Sequence, residues 1–296
     1  MPELPEVETI RLGLEKYVVG HKIEDVEVRL PKMFQGDPKA IIGAKVIEIR
    51  RFGKGLVIDL SNKKSLAIHI KLTGQLIYQD PEVSKVSEVS REKVGMVPNK
   101  FTHVIFKLDK DAILYYNDQR RFGWIKVVPT DKVGDLSYFK GIGPEPQLKG
   151  MPDVSEVSGV SKGKLTFEKF KARVSISHLT IKPLIMDQKK IGGIGNIYAN
   201  DALFLSGIDP RRKGHSLSED EVKKLYKAIH SVMEKGFKYG GASELTFVNV
   251  LGQEGEYQRH SLVYGKKGQK CPNCGGEIEK IFLGGRGTFF CPACQK

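Results

Sequence analysis

The feature that most constrains this chain is the placement of its cysteines. All four lie within the last 26 residues, arranged as two Cys-X-X-Cys pairs with 16 residues between them. This spacing is typical of a four-cysteine zinc site, and the short tail has too few apolar residues to fold by burial alone. We therefore predict one structural Zn²⁺ bound by Cys271, Cys274, Cys291 and Cys294.

The residues between the two pairs can form a hairpin over 278–290. Its predicted tip is the sequence Gly-Gly-Arg-Gly at 284–287. In one interpretation the hairpin is a purely structural ribbon. In the other, the zinc site holds Arg286 in an exposed position, where its guanidinium can bind a phosphate. The residues alone leave both interpretations open.

The first half of the chain shows one helical pattern followed by strand patterns. Val7, Ile10 and Leu14 recur at helical spacing. From there to about residue 128, apolar and polar residues alternate in short runs, which predicts a β-sandwich or barrel. The polar stretch at 80–100 interrupts this pattern, and we interpret it as a long solvated loop.

A stretch rich in glycine, proline and serine separates the strand patterns from helical ones. Within the helical part, Ser218 and Glu221 fit a capping box at the start of an amphipathic helix. The chain is therefore predicted to be an α+β multidomain protein. Its predicted parts are an N-terminal β-sandwich domain with flanking helices at 1–140, a linker at 141–164, a helical domain at 165–255 and a zinc finger at 256–296.

The net charge of +13 indicates the class of molecule that the chain binds. A protein this basic often binds a polyanion, most commonly DNA or RNA, although a merely basic surface is the alternative. No run of apolar residues is long enough for a membrane span. The N-terminus lacks the basic and apolar regions of a secretory signal, which predicts a cytoplasmic protein.

The chain starts Met-Pro-Glu, and removal of Met1 would leave Pro2 with a secondary α-amine. A terminal amine has a reference pKa of about 8, against about 10.4 for lysine, so more of it is unprotonated near neutral pH. Such an amine can attack a sugar C1′ and form an iminium, with Glu3 as general acid or base. An ordinary chain start is the alternative, and a retained Met1 would exclude this chemistry.

Four segments, in the same order along the chain, resemble the bacterial formamidopyrimidine-DNA glycosylase family, also called 8-oxoguanine DNA glycosylase. The resemblance covers nearly the whole chain. It implies that the helical domain is a helix–two-turn–helix domain. The segments are PELPEVET at 2–9, the intercalation-loop motif NDQRRFG at 117–123, the helix–two-turn–helix residues 187–199 and the zinc-hairpin motif GRGTFFC at 285–291.

The resemblance implies four catalytic residues. Pro2 is then the Schiff-base nucleophile, and Glu3 assists base loss and opening of the sugar ring. Lys54, at a turn between strands, contacts the phosphate near the lesion and takes part in proton transfer. Arg286 holds the phosphates that flank the flipped nucleotide.

Further DNA contacts follow from the same resemblance. His69 and Asn196 match phosphate ligands, and Lys182 matches a lysine that points into the lesion site. A base in duplex DNA must be flipped out and the void filled. Arg120 matches the residue that pairs with the orphaned cytosine, and Phe122 matches the inserted ring. The third wedge residue of the family is usually methionine, and this chain has Leu72 there.

The implied function is that of a bifunctional DNA glycosylase and AP lyase. It removes oxidised purines from duplex DNA in base excision repair, by base flipping, Schiff-base formation at the N-terminal proline and β,δ-elimination. The implied partner is double-stranded DNA with oxidised bases or abasic sites, bound by a monomer on the bacterial nucleoid. The alternatives are an endonuclease VIII-like glycosylase for oxidised pyrimidines, a non-catalytic damage-binding protein and a zinc-ribbon adaptor.

The chain departs from the family pattern in three places. The stretches at 80–100 and 149–164 are longer than usual. Residues 244–255 also differ, in a region where the family has a loop that can cover the flipped oxidised purine. We assign no role to the two longer stretches, and the difference at 244–255 concerns base preference rather than the chemistry. Discrimination of the base opposite the lesion is instead tied to Leu72 in the wedge.

Overall fold

The computed structural model describes residues 1–82, 92–153, 156–157 and 160–296. The chain divides into two compact units. The first unit comprises residues 1–140 and 236–258, and the second comprises 141–235 and 259–296. The domain limits drawn from the sequence stay a prediction. The units cross those limits at 236–258, where the chain returns to the first unit.

The first unit opens with a helix, α1 (Leu4–Val18), which has Pro5 in its first turn. Proline is favoured there because its missing N–H would have no partner inside the helix. The apolar side chains of Val7, Ile10 and Leu14 are fully buried. The predicted opening helix is therefore confirmed, and its apolar face packs on the core of the first unit.

The predicted β-sandwich is confirmed as two sheets with strand orders β1-β7-β8-β6 and β2-β9-β5-β4-β3. The pairings are antiparallel apart from the parallel pair β2–β9. Buried apolar side chains from α1 and from both sheets form one core cluster. The strands are β1 (Ile23–Val28), β2 (Phe34–Gln35), β3 (Val46–Phe52), β4 (Gly55–Leu60), β5 (Lys64–His69), β6 (Gly74–Gln79), β7 (Thr102–Leu108), β8 (Ile113–Asp118) and β9 (Trp124–Pro129).

The interpretation of 80–100 as a solvated loop is wrong for part of this stretch. Residues 83–91 lie outside the described residues. In the part that follows, Val94 is only 6% exposed and packs in a small cluster with Val248 and with apolar residues of β6, β7 and β8. The contact was not predicted because the valines of this stretch are scattered among polar residues and do not show the alternation of a strand.

The second unit contains short helices, a long helix and two hairpins. The predicted capping box is confirmed: Ser218 N donates to Glu221 Oε2 at 2.7 Å, and Glu221 N donates to Ser218 Oγ at 3.3 Å. The elements after residue 140 are β10 (Glu156–Val157), β11 (Ser161–Lys162), α2 (Phe167–Ser175), α3 (Ile181–Met186), α4 (Asn196–Ser206), α5 (Glu219–Lys238), α6 (Tyr257–His260), β12 (Glu279–Leu283) and β13 (Arg286–Phe290). Helices α5 and α6 cross the limits between the two units. Among the described residues, no helix combines the length and the apolar character that a membrane crossing requires.

The stretch predicted as a linker contributes structure to the second unit. Ile142 and Leu148 are buried there. Gly143 N donates to Gln188 O at 2.8 Å. A Cβ at Gly143 would lie 2.5 Å from the Lys190 carbonyl carbon, so only glycine permits this close approach. The start of the stretch therefore supports the turns between α3 and α4.

Candidate functional site

The N-terminus of the first unit is held by one buried carboxylate. Pro2 and Glu3 are both buried. Glu3 N donates to Glu6 Oε2 at 2.7 Å, and Ala242 N donates to Glu6 Oε1 at 2.8 Å. Gly241 has φ +90°, and a Cβ there would lie 2.7 Å from Glu6 Cγ. Glu6 thus fixes the backbone at the start of α1 against residues 241–242.

Lys54 lies in the two-residue turn between β3 and β4, and it is 3% exposed. Arg51, at the end of β3, donates from Nη1 to Gly53 O at 2.9 Å and from Nε to Glu8 Oε2 at 2.7 Å. Glu8 belongs to α1. On the other side of the turn, Lys54 N donates to Tyr138 Oη at 3.0 Å. A buried ion pair therefore attaches the Lys54 turn to the helix that begins at the candidate nucleophile.

The His69 ring at the end of β5 is neutral and has a defined tautomer. Its Nδ1 accepts a hydrogen bond from Lys71 N at 3.0 Å. Burial, and next the positive charges of Lys71 and Lys54, lower the pKa of His69 to about 3. The hydrogen of the neutral ring is therefore on Nε2, because Nδ1 is an acceptor. A neutral Nε2–H group can donate to a phosphate oxygen without requiring a protonated ring.

The low pKa of His69 predicts a change of stability with pH. Between the reference pKa of about 6.5 and the folded value, the unfolded state binds one more proton, so the free energy of unfolding falls as pH decreases. In His69→Asn, Oδ1 can still accept from Lys71 N but cannot titrate. The free energy of unfolding can be measured by urea unfolding between about pH 4 and 6. We expect its dependence on pH to be shallower in this variant than in wild type, by about 1.4 kcal/mol per pH unit. Equal slopes in the two proteins would contradict the buried neutral ring.

Two segments of the first unit that carry wedge candidates are joined by Asp118. This side chain is fully buried. Its carboxylate accepts from Thr73 Oγ at 2.5 Å, from Gly123 N at 2.8 Å and from Arg120 N at 3.1 Å. Thr73 follows Leu72 in the chain. Asp118 therefore holds the Leu72 segment and the Arg-Arg-Phe loop together.

The wedge candidates differ in exposure. Phe122 is 56% exposed, so its ring is accessible at the surface. The Arg120 guanidinium carbon lies 5.0 Å from the centroid of the Phe122 ring. Leu72 is half-buried. Arg121, between Arg120 and Phe122, has φ +55°, so the loop adopts a backbone conformation that is uncommon for a non-glycine residue.

In the second unit, Gln188 organises the two turns between α3 and α4. Its Nε2 donates to Met186 O at 2.8 Å and to Ile194 O at 2.7 Å, and its Oε1 accepts from Gly193 N at 2.9 Å. Asn196 is the first residue of α4. The N-terminal end of a helix carries partial positive charge and unpaired N–H groups, which suits a phosphate ligand.

Asn200 connects this helix end to the zinc hairpin. It is 1% exposed. Its Nδ2 donates to Asn196 O at 2.6 Å, and its Oδ1 accepts from Phe289 N at 2.7 Å. An aspartate would place a second acceptor against the Asn196 carbonyl, so the amide is required. Asn200 therefore fixes β13 relative to the start of α4.

The four cysteines fit a single tetrahedral zinc ion. All four Sγ atoms lie within 4.8 Å of one another, with Cys271–Cys294 at 3.7 Å and Cys274–Cys291 at 3.5 Å. A tetrahedron with Zn–S bonds of about 2.3 Å has S···S edges of about 3.8 Å, which these distances match. The zinc predicted from the sequence is supported by the donor set and its geometry.

The hairpin between the two cysteine pairs presents Arg286. Gly284 and Gly285 form a two-residue turn with φ values of +56° and +72°, the conformation that favours glycine at both positions. Arg286 is exposed and is the first residue of β13. The predicted tip is thus confirmed for Gly284 and Gly285, whereas Arg286 and Gly287 already belong to the strand, and Arg286 is exposed directly after the turn.

Lys182 is placed in a way that its predicted role did not suggest. The side chain, on α3, is 1% exposed. Its Nζ donates to Gly287 O at 2.8 Å and to Thr288 Oγ at 2.7 Å. The ammonium therefore ties α3 to the hairpin strand that begins at Arg286. Its place in a lesion site stays a prediction.

Sequence reasoning missed the polar residues that position the candidates, namely the buried Glu6, Glu8, Asp118 and Asn200 and the half-buried Gln188. Each lies within, or one residue from, a segment quoted for the family resemblance. The signal that was available was a polar residue inside an otherwise apolar helix face or strand end. Such a residue must find a partner when it is buried.

Comparisons with known proteins cover most of the chain. The model for the formamidopyrimidine-DNA glycosylase N-terminal domain matches residues 1–125. The model for the H2TH domain of the same glycosylase matches residues 159–247. A model described as the zinc finger found in FPG and IleRS matches residues 268–296.

Relatives and solved structures agree with these matches. The formamidopyrimidine-DNA glycosylase of Pelotomaculum thermopropionicum is 38% identical, over 100% of this chain and 99% of its own. A complex of Lactococcus lactis Fpg (MutM) with DNA containing N7-benzyl-Fapy-dG is similar with a TM-score of 0.83, at 33% identity and with both chains fully covered. A complex of the same protein with DNA containing an oxidised pyrimidine gives the same values.

Proposed function

Because the chain belongs to the formamidopyrimidine-DNA glycosylase family, we propose that it removes 8-oxoguanine and formamidopyrimidines from duplex DNA and then cuts the backbone as an AP lyase. The observation that carries this proposal is the N-terminal arrangement. Pro2 and Glu3 are buried at the start of α1, where Glu6 fixes their backbone. A terminal amine held in this way is a preorganised nucleophile.

The chemistry begins after removal of Met1. The Pro2 nitrogen attacks C1′ of the damaged nucleotide, the glycosidic bond breaks and the oxidised base departs. Glu3 transfers protons as the base leaves and as the sugar ring opens. The resulting iminium makes the neighbouring sugar proton acidic. β- and δ-Elimination then follow, leaving a one-nucleotide gap with phosphate at both ends.

The remaining candidates handle the DNA. Phe122 and Leu72 fill the space left by the flipped nucleotide, and Arg120 pairs with the orphaned cytosine. Lys182 faces the lesion site in this proposal, while its observed bonds attach it to the hairpin. Phosphates are bound by Lys54, His69, Asn196 and Arg286.

The zinc ion has a structural role in this proposal. Bound by the four cysteines, it stabilises the hairpin, so that Arg286 is presented at a fixed position. The bond-making and bond-breaking steps use Pro2 and Glu3, and Lys54 takes part in proton transfer. The partner is duplex DNA with oxidised bases or abasic sites, bound by a monomer on the bacterial nucleoid. With a net charge of +13, binding should weaken steeply with salt.

Borohydride trapping tests the substrate and the chemistry together, because borohydride reduces an iminium to a stable covalent link. We expect trapping and base release with a duplex containing 8-oxoguanine opposite cytosine. A thymine-glycol duplex is the matched comparison, because a Lactococcus lactis relative was solved with DNA containing an oxidised pyrimidine. Preference for thymine glycol would favour the endonuclease VIII-like alternative. Binding of both duplexes without trapping would favour a damage-binding protein.

A further inference from the structure

Two segments of the first unit, which the proposed chemistry does not use, are joined by an ion pair. We define the brace as residues 92–100 and the wall as residues 243–254. Lys93 Nζ lies 3.1 Å from Glu254 Oε2 and donates a second hydrogen bond to Ser243 O. The Lys93 side chain is 14% exposed, and that of Glu254 is 35% exposed. One ammonium of the brace therefore connects the two ends of the wall.

Further contacts hold the two segments to the β-sandwich. Gln75, on β6, is 4% exposed, and its Nε2 donates to Thr246 O at 2.6 Å and to Lys93 O at 3.1 Å. Val94 of the brace and Val248 of the wall pack in one buried cluster. The wall has no helix or strand of its own. Its middle is anchored by Tyr78 N, which donates to Val250 O at 2.7 Å, and by Phe247 and Val250, which are buried in the core cluster of the first unit. The ion pair and hydrogen bond of Lys93 add contacts at the two ends of the wall, where a segment without regular structure opens at the lowest cost.

The start of the wall is connected through Glu6 to Glu3, the residue that follows the candidate nucleophile. Ala242, the residue before the wall, donates its N–H to Glu6 Oε1, and the other oxygen of Glu6 accepts from Glu3 N. Within the wall, Ser243 Oγ donates to Phe247 O at 2.7 Å and accepts from Gly255 N at 2.9 Å. The start of the wall is therefore joined to the backbone of Glu3 by two hydrogen bonds that share the Glu6 carboxylate.

We propose that the brace fixes the wall next to the N-terminus and that Lys93 is a positioning residue for base excision. The inference rests on the proposed function and on the resemblance, which puts a loop that can cover the flipped oxidised purine in the region of the wall. The structure adds the brace, through the contacts of Lys93. The leaving base must occupy space next to the attacking amine, and the start of the wall is joined through Glu6 to the residue that follows Pro2. An abasic site has no base, so cutting at an abasic site does not need the wall.

Lys93→Met tests the proposal because it keeps the aliphatic side chain and removes the ammonium. We expect the single-turnover rate of 8-oxoguanine excision to fall by about tenfold, since small displacements near reacting atoms are costly. Strand cleavage at a preformed abasic site should stay within about twofold. Lys100→Met is the matched control from the same brace, where the ammonium lies 5.1 Å from the Phe101 ring centroid. It should change neither rate.

Amide hydrogen exchange measures how readily the wall opens, and this readout does not depend on catalytic activity. In the full chain, amides of residues 244–254 should exchange at least about tenfold faster in Lys93→Met than in wild type. Glu254→Gln should also speed exchange, and the double variant should exchange little faster than either single variant, as expected for one shared contact.

Unchanged exchange in Lys93→Met would overturn the role of the brace in fixing the wall. Faster exchange with unchanged excision, or with equal losses at abasic sites, would overturn the positioning role. If the wild-type protein excises no base, the proposed function is contradicted. The exchange rates would still show whether Lys93 fixes the wall.

Discussion

Replacing Pro2 by glycine is expected to lower borohydride trapping and cleavage of a preformed abasic site by on the order of 100-fold. Glycine still permits removal of Met1 and still supplies an amine, so the loss isolates the pyrrolidine nitrogen and its fixed geometry. The expected loss is large because Pro2 is buried and its neighbour Glu3 is held by Glu6. A glycine there lacks the ring that restricts the terminal backbone.

Glu3→Gln is the matched comparison for the Pro2 variant. It retains the amine and a side-chain oxygen at the start of α1 but cannot transfer a proton. We expect it to lose base excision while still forming a trapped complex at an abasic site. Mass spectrometry should show that Met1 is absent from each protein. Trapping at the wild-type rate in Pro2→Gly would place the reacting amine elsewhere in the chain.

Removal of one zinc ligand should have the next largest effect. Cys291 is fully buried in the cluster that contains Phe204 and Ile278, so Cys291→Ser removes a thiolate and disturbs this small core. We expect loss of the zinc and a fall in affinity for abasic-site duplex of about 100-fold, because metal binding supplies the folding free energy of such a tail. Metal analysis and fluorescence anisotropy at fixed salt would measure the two effects.

Asn273→Ala is the control for the zinc prediction. Asn273 lies between two ligands, and only its backbone N–H bonds to Cys271 Sγ. It should retain both metal and affinity. Arg286→Ala, in which the hairpin stays folded, separates the guanidinium from the rest of the hairpin. Full affinity of Cys291→Ser without its zinc would show that the hairpin does not contribute to DNA binding.

The elements that sequence reasoning predicted share one property, which is that their signal is local. The cysteine spacing, the apolar period of α1 and the Ser218 capping box each fall within a short stretch of chain. The chemistry of the candidates in the first unit was likewise read from consecutive motif residues such as Pro2 and Glu3. Local patterns carry backbone periodicity and ligand spacing, so they identify elements and side chains that act close together in sequence.

The contacts that sequence reasoning missed join distant parts of the chain. The bond from Lys93 to Ser243 spans 150 positions, and the bond from Gln75 to Thr246 spans 171. Neither segment has a period that would mark a partner. The hydrogen bonds of Lys182 to the hairpin strand also depend on tertiary packing. A lysine in a basic sequence gives no sign that its ammonium will be buried.

The return of residues 236–258 to the first unit has a consequence for the order of events during synthesis. Ala242 follows Glu6 by 236 positions, so their hydrogen bond forms only after most of the chain has been translated. At typical rates of elongation this takes roughly ten seconds or more. Throughout that interval the start of α1 is uncovered on the side that residues 241–242 later occupy. Removal of Met1 on the nascent chain, which the proposed chemistry requires, would therefore take place while this side of α1 is still open.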